Sequence, residues 1–348
     1  MSETPFDAAR YLKQTRFGPV GVDGQRRIAG ARVFLCGCGA LGSVLAESLV
    51  RAGVGTLRLA DRDIVEASNL PRQTLFTEAD ATASVPKAVA AAERLSAINS
   101  ACRVEPHVVD VTASVVRDLA ADVDLILDGT DNFETRYLLN DAAHEFDLPW
   151  VFAGVLGAEG QVLAIDPGRT ACLRCLMPEP PAAGDGPTCD TAGVIGPAVG
   201  VIASLAAAQG LKILAAGRES VTPTLTVVDC WRPRVSTIDV GGPKDDCPAC
   251  EGRRDWLEGR RGSSSTVLCG RNAVQVAADA EMPFSFPVFT QRISGPEGVT
   301  ATRHWVRFAR DVGPARYEFT VFRDGRTIVH GTEDVARARS LHAEFVGS

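Results

Sequence analysis

From Arg32 onward the chain alternates short apolar runs with amphipathic stretches. Arg32 to Cys36 is a strand-length apolar run, followed by a glycine-rich turn and a helical pattern from Ala40 to Ala52. Gly55–Ala60 reads as a second strand ending at Asp61, and a proline-started helix runs from about Pro86 to Ile98. Arg103–Val109 reads as strand, and Leu125–Leu127 as an apolar strand ending at Asp128. A helix follows Asp131, and Trp150–Ala153 makes a further strand. Strands alternating with helices predict an α/β fold with a doubly wound, mostly parallel sheet.

The pattern then changes. Glu159–Ile165 reads as strand, and Met177–Gly193 as a loop rich in Pro, Gly and Asp. An alanine-rich helix leads to strands near Leu225–Val228 and Val235–Val240. The charged stretch Glu251–Gly262 and the polar triplet Ser263–Ser265 read together as a linker. Beyond it, alternation in Trp305–Phe308 and Tyr317–Phe322, the turn Asp324-Gly325 and a helix after Glu333 predict a small α+β module. The expected organisation is one large α/β domain over 10–250, a linker over 251–265 and the module over 266–348.

Length supports one large domain plus an appendage: at 348 residues the chain exceeds the size at which a single core stops growing. With 45% hydrophobic and 23% charged residues it has the makeup of a folded globular protein. A formal net charge of -7 and the lack of a basic tail argue against a nucleic-acid partner. The N-terminal ten residues carry no apolar segment of the secretory kind, so the expected location is cytoplasmic. Thr191–Leu211 is uncharged and long enough to span a bilayer, but its glycines, Pro197, Ser204 and Gln209 favour a buried or subunit-interface helix, with no membrane partner.

Gly37-Cys38-Gly39-Ala40-Leu41-Gly42 fits the G-x-G-x-x-G fingerprint between a predicted strand and a predicted helix, as a Rossmann-like site requires. Such glycines let backbone N–H groups approach a phosphate at the helix N-terminus. Asp61 closes the next strand, placed to accept from a ribose hydroxyl. Alone, this pattern says only that a nucleotide binds.

Asp61-Arg62-Asp63 leads into Ser68-Asn69-Leu70-Pro71-Arg72-Gln73, and Lys87 follows Pro86 at a helix start. Asn69, Arg72 and Lys87 are donors suited to a triphosphate. In Asp128-Gly129-Thr130-Asp131-Asn132, carboxylates can hold Mg2+, and Asp131 is the candidate ligand. A simple helix N-cap is the competing reading of Asp131.

Cys172-Leu173-Arg174-Cys175 and Cys247-Pro248-Ala249-Cys250 are two Cys-x-x-Cys pairs among ten cysteines. The spacing suits two knuckles on one tetrahedral Zn2+, which the fold must bring together across a long gap. A redox pair is the alternative, disfavoured because neither pair is expected at a helix start after a strand. Cys36, Cys38, Cys102 and Cys230 read as packing residues.

The run from Gly37 through Ser68-Asn69-Leu70-Pro71-Arg72-Gln73 to Thr130-Asp131-Asn132 resembles the ThiF/MoeB/HesA family of sulfur-carrier adenylyltransferases, bacterial relatives of the ubiquitin-activating enzymes. The resemblance spans roughly residues 10–250. It implies that ATP contacts Gly37, Gly39, Ala40, Gly42, Asp61, Asp63, Ser68, Asn69, Arg72, Gln73, Lys87, Asp131 and Asn132, and that zinc sits on the cysteine quartet, holding a substrate-side segment. Catalytic roles fall on Arg72, Lys87 and Asp131. The family usually has arginine at the position of Lys13, reaching the ATP of a partner subunit in a homodimer; lysine keeps the charge but loses the bidentate fork.

The resemblance also matches Cys189 to a loop cysteine that, in some members, forms an acyl or persulfide linkage to the carrier. An unused thiol is the alternative, and Asp190 beside it opposes thiolate formation. The implied partners are a small ubiquitin-like carrier ending in Gly-Gly and a sulfur donor such as a cysteine desulfurase.

The implied reaction is adenylation of the carrier's terminal glycine. A C-terminal carboxylate has a pKa of about 3.3 to 3.7, so it is already ionised and needs no general base. That agrees with the histidines: His107 and His144 are the two within residues 1–250, and neither lies in a catalytic motif. A nicotinamide-dependent oxidoreductase and a non-catalytic, zinc-stabilised adaptor for a ubiquitin-like protein are the rival readings. Cys269-Gly270-Arg271-Asn272 opens the C-terminal module without a recognisable mechanism; a docking or regulatory role is a guess.

Overall fold

The computed structural model describes residues 6–181, 192–262, 265–268, 272–277, 284–293 and 298–347. Two compact units emerge, Met1–Arg261 and Gly262–Ser348.

In the first unit, short helices α1 (Leu12–Thr15) and α2 (Gly21–Gly30) precede β1 (Arg32–Cys36), α3 (Ala40–Ala52) and β2 (Thr56–Ala60). Then come α4 (Glu78–Thr82), α5 (Lys87–Ile98), β3 (Arg103–His107), α6 (Ala113–Ala120), β4 (Leu125–Asp128) and α7 (Phe133–Glu145). Strands β5 (Trp150–Leu156) and β6 (Glu159–Ile165), the single turn α8 (Leu173–Leu176), α9 (Gly196–Ala216), β7 (Thr224–Asp229) and β8 (Arg234–Asp239) complete it.

The eight strands form one sheet in the order β3-β2-β1-β4-β5-β6-β7-β8. Strands β1 to β5 pair in parallel. Pairing from β5 through β8 is antiparallel. The chain moves outward from β1 in both directions, and the resulting switch point between β1 and β4 opens a crevice at the carboxyl ends of the parallel strands.

Alternation along each strand divides the core between the two faces. Val33 and Leu35 of β1 join Leu45, Leu49, Leu95 and Ile202 on the side of α3, α5 and α9. Phe34 and Cys36 join Val116, Tyr137, Cys172 and Trp256 on the side of α6, α7 and the cysteine quartet. Helix α9 is long and apolar enough to cross a membrane. Its Val199, Ile202, Ala203, Ala206 and Ala207 are instead buried in the first of these clusters, which accounts for its lack of charge.

Residues 251–261, expected as the start of the linker, belong to the first unit instead. Trp256 and Leu257 are buried, and Asp141 accepts their backbone N–H groups at 2.9 and 3.4 Å. Burial of this apolar pair outweighs the flanking charges that suggested a solvated segment.

The second unit is a six-stranded sheet in the order β11-β12-β13-β14-β10-β9, running β9 (Ser265–Leu268), β10 (Ala273–Val276), α10 (Phe286–Ile293), β11 (Thr300–Ala301), β12 (Trp305–Val312), β13 (Ala315–Phe322), β14 (Thr327–His330) and α11 (Val335–Phe345). One face of the sheet, with Phe308, Phe319 and Val329, packs on Phe289 and Leu341 of the two helices. The expected α+β module is therefore present as a core of its own. Cys269 and Arg271 lie outside the described residues.

Candidate nucleotide site and metal centre

The glycine turn after β1 is locked by three glycines, Gly37 in the turn, Gly42 in the first turn of α3 and Gly129 in the loop after β4. Gly37 sits at φ +89°, and a Cβ there would stand 2.8 Å from the carbonyl of Gly129. A Cβ on Gly42 would stand 2.1 Å from Gly37 O, and one on Gly129 would be 2.5 Å from the same oxygen. Side chains at these positions would separate the turn from the loop after β4. Gly39, the N-cap of α3, faces open space, with Gly129 O the nearest atom at 4.0 Å. Ala40 opens the helix beside it, so unbonded N–H groups and the helix dipole are presented to the crevice.

Asp61 is buried, and its carboxylate accepts from Cys38 N at 2.6 Å and Asp63 N at 2.7 Å. Burial raises its pKa, and Lys87 opposes the shift. Lys87 is itself buried at the first turn of α5, with Nζ 3.0 Å from Asp63 Oδ2. A cation anchored this way is held in place before any phosphate arrives. Arg62 donates to Asp110 Oδ1 at 3.1 Å, and Asp63 and Asp131 add to the negative field around it.

Asn69 is buried in a capping box, its Oδ1 accepting from Glu66 N at 3.1 Å. Arg72 donates to Ser68 O at 2.7 Å, which folds its guanidinium back over the turn, and Ser68 is exposed. Gln73 is buried, and its Oε1 has no hydrogen-bond partner among the described residues. The turn abuts the start of α9, since a Cβ on Gly196 would stand 2.9 Å from Pro71 O.

The cap of α7 is Asn132, whose Oδ1 accepts from Thr135 N at 2.8 Å. Asp131 is thus not the N-cap; it is exposed at the mouth of the loop, available as a ligand. Asn132, expected among the nucleotide contacts, spends its side-chain oxygen on the helix.

Arg136 escaped the sequence reading, and Asp128, read there as one of the carboxylates able to hold Mg2+, is spent on Arg136 and Thr130. Asp128 is fully buried, and Arg136 donates from Nε to its Oδ2 at 3.1 Å. The available signal was an arginine four residues after the cap, where one helical turn returns a side chain toward the loop.

Lys13 is exposed on α1. Its neighbours anchor the segment: Arg10 donates to Ile98 O at 2.6 Å, buried Tyr11 accepts from Asn99 Nδ2 at 2.9 Å, and Gln14 donates to Ala52 O at 3.0 Å. In Arg10-Tyr11-Leu12-Lys13-Gln14 these three hold the backbone, and Lys13 presents its charge outward.

The cysteine quartet does converge. Sγ atoms of Cys172, Cys175, Cys247 and Cys250 all lie within 4.8 Å of one another. Cys172 is 3.7 Å from Cys175 and 3.5 Å from Cys247, and Cys250 is 3.5 Å from Cys175 and 3.9 Å from Cys172. Four thiolates at the Zn–S length of about 2.3 Å in a tetrahedron stand about 3.8 Å apart, so the donor set fits zinc.

Contrary to the expectation that neither pair opens a helix, Cys172 is the N-cap of the helical turn α8. What excludes the thioredoxin arrangement is the second pair of sulfurs at contact distance. Around the centre, Leu173 N donates to Asn140 Oδ1 at 3.0 Å and Lys244 N donates to Cys175 Sγ at 3.4 Å. Burial and the neighbouring thiols push the Cys250 thiol up to about 12, a cost that a bound cation removes.

His144 is held down to about 4 by burial, and His107 is lowered for the same reason, so neither is poised as a proton donor. Cys189 lies outside the described residues. Cys36, Cys38 and Cys102 are buried, as packing residues should be, and Cys230 is half-buried.

Residues 11–249 match the ThiF family. The chain is 40% identical over 343 residues to a sulfur carrier protein ThiS adenylyltransferase of Bacillus subtilis, covering 97% of this chain and 99% of that one. A sulfur carrier protein adenylyltransferase of Thermus thermophilus is 37% identical over 72% of this chain and 93% of its own length. The adenylyltransferase and sulfurtransferase MOCS3 of Sus scrofa is 40% identical over 266 residues, 75% of this chain but 58% of the longer relative. Among solved structures, E. coli MccB with ATP superposes with a TM-score of 0.61 at 20% identity, covering 72% of this chain and 76% of that chain; at that identity the likeness speaks for the fold.

Proposed function

The chain belongs to the ThiF family, and from that premise we propose that it uses ATP to adenylate the C-terminal glycine of a small ubiquitin-like sulfur-carrier protein. The observation that carries this reading is the locked glycine turn at the switch point, which abuts the loop carrying Asp131 through Gly129 and Thr130 and is bonded to Asp61 at Cys38, with Lys87 anchored on Asp63.

The carrier's carboxylate attacks the α-phosphorus of ATP; a new phosphorus–oxygen bond forms, and the bond to the β-phosphate oxygen breaks to release pyrophosphate. The nucleophile is already ionised and the leaving group carries its charge away, so the protein must position and neutralise rather than move protons. Backbone N–H groups at the start of α3 hold phosphate, Asp61 takes the ribose, and Lys87 exchanges its contact with Asp63 for phosphate oxygens. Arg72 swings from Ser68 O to the same charge. Asp131 would hold Mg2+, which supplies further charge neutralisation on the phosphates. Zinc on the quartet is structural, since four thiolates leave no open position.

The carrier has a surface to meet. Every residue of edge strand β8 is exposed, including Val235 and Ile238, and Trp231 stands 79% exposed in the preceding turn. A cavity of ≈ 320 Å³ beside it, lined by Leu156, Gly157, Glu159, Asp229, Trp231 and Arg232, has room for a narrow glycine tail. Exposed apolar residues next to an open sheet edge are features of a protein-docking face.

Lys13 acts across a homodimer interface on the partner's nucleotide, and the Cys189 thiol attacks the carrier acyl-adenylate, forming a thioester and releasing AMP, with the sulfur delivered afterwards by a donor such as a cysteine desulfurase. The setting is cytoplasmic. ATP–pyrophosphate exchange that requires a carrier ending in Gly-Gly supports the proposal; its absence with every cognate carrier overturns it.

A further inference from the structure

Arg136 makes three hydrogen bonds around the loop that carries Asp131. Its Nε donates to Asp128 Oδ2 at 3.1 Å, and its Nη2 donates to Thr130 O at 2.8 Å and Ala153 O at 3.2 Å. The guanidinium centre lies 5.5 Å from the Phe133 ring and 5.2 Å from the Phe152 ring, and the side chain is 9% exposed. Asp128 completes the bracing: its Oδ1 accepts from Thr130 N at 2.8 Å and from Thr130 Oγ1 at 2.7 Å. Thr130 is therefore held at its nitrogen, its hydroxyl and its carbonyl, while Asn132 is fixed on the far side as the cap of α7. Asp131 stands between two immobilised neighbours and is itself exposed.

We infer that Arg136 is a positioning residue for the adenylation step, clamping the Asp128–Asn132 loop so that the Asp131 carboxylate is presented at a fixed point to the metal on the ATP phosphates. The inference rests on the reading of Asp131 as the magnesium carboxylate. A buried pair that served stability alone would need only a countercharge for Asp128. The observed geometry goes further, because the fork spans the end of β4, the loop and β5 at once. Lysine would keep the charge but could not reach three acceptors, which separates the two roles.

The test uses the zinc-loaded full chain and measures ATP affinity by calorimetry in magnesium-free buffer without chelator and in saturating Mg2+. For Arg136→Lys the expected result is loss of about tenfold of the magnesium-dependent gain in affinity, in the range for groups that orient a metal ligand. Affinity without Mg2+ and zinc content should be unchanged. Asp131→Ala should lose the same gain, and Arg136→Lys should add nothing further in the double variant. Retention of the full gain in Arg136→Lys, with only a lower Tm, would overturn the inference while leaving Asp131 as ligand. Retention of the gain in Asp131→Ala would remove the reading of Asp131 and the inference with it.

Discussion

Replacing Gly42 by alanine puts the lock of the glycine turn to a quantitative test. The added Cβ would lie 2.1 Å from Gly37 O and 2.8 Å from Gly37 C, whereas real Cβ atoms essentially never approach within 3.0 Å. The turn must open by about 1 Å, and it cannot simply move away, because Gly37 already abuts Gly129. Alanine gains about 1 kcal/mol of helix propensity at this position in α3, but overpacking costs about 1–3 kcal/mol, so the net effect is destabilising. A displacement of about 1 Å at a reacting centre costs about 100-fold in rate.

Gly39→Ala is the control: the nearest atom is 4.0 Å away and φ is -76°, so the fold loses at most about 1 kcal/mol as an N-cap change. Its methyl group would stand where phosphate approaches. Thermal melts and ATP calorimetry separate the two: Gly42→Ala should lower both Tm and affinity, Gly39→Ala affinity with little change in Tm. Wild-type ATP affinity in both variants would refute a phosphate cradle at this turn.

Elemental analysis should find one zinc per chain, and stripping it should lower Tm by of the order of 10 °C, because the quartet ties α8 to the segment carrying Trp256; unchanged melting would deny the metal a structural role. Burial raises the Asp141 carboxyl to about 6, so its penalty grows as pH rises from the ordinary carboxylate value to 6. His144, held at about 4, contributes stability that is full above its ordinary value of about 6.5 and lost as pH falls toward 4. The two slopes oppose each other, each of the order of 3 kcal/mol, so denaturant titrations at constant zinc content should show a shallow profile for the wild type, acid-weakened stability for Asp141→Asn and acid-strengthened stability for His144→Gln. Lys13→Ala should cut exchange at least about tenfold with Tm unchanged, since the side chain is exposed, while Lys13→Arg should at least preserve the rate; an unaffected Lys13→Ala variant would place no cation of α1 at a nucleotide.

The parallel half of the sheet was legible because each strand is a short apolar run closed by a turn residue with a structural duty, as at Cys36-Gly37 and Asp128-Gly129. The quartet was legible from spacing alone. What escaped depended on contacts between distant segments. Asp131 and Asn132 compete for one cap, and only the three-dimensional turn shows that Asn132 takes it. Arg136 drew no reading from the sequence, because its role depends on the Ala153 carbonyl that β5 brings beneath it. Trp256 and Leu257 lie among charges that suggested a linker, yet Asp141, far back in the chain, binds their backbone. Polar residues that serve a distant backbone leave no periodic trace.

Adenylation itself is tested most directly by the intact mass of a carrier ending in Gly-Gly after incubation with the full chain, ATP and Mg2+, with pyrophosphatase added to draw the reaction forward. The account predicts a carrier species heavier by one adenylyl group (AMP less water), absent without ATP and absent when the final glycine is removed. A carrier whose mass never changes, under conditions in which the chain binds both it and ATP, would contradict the account.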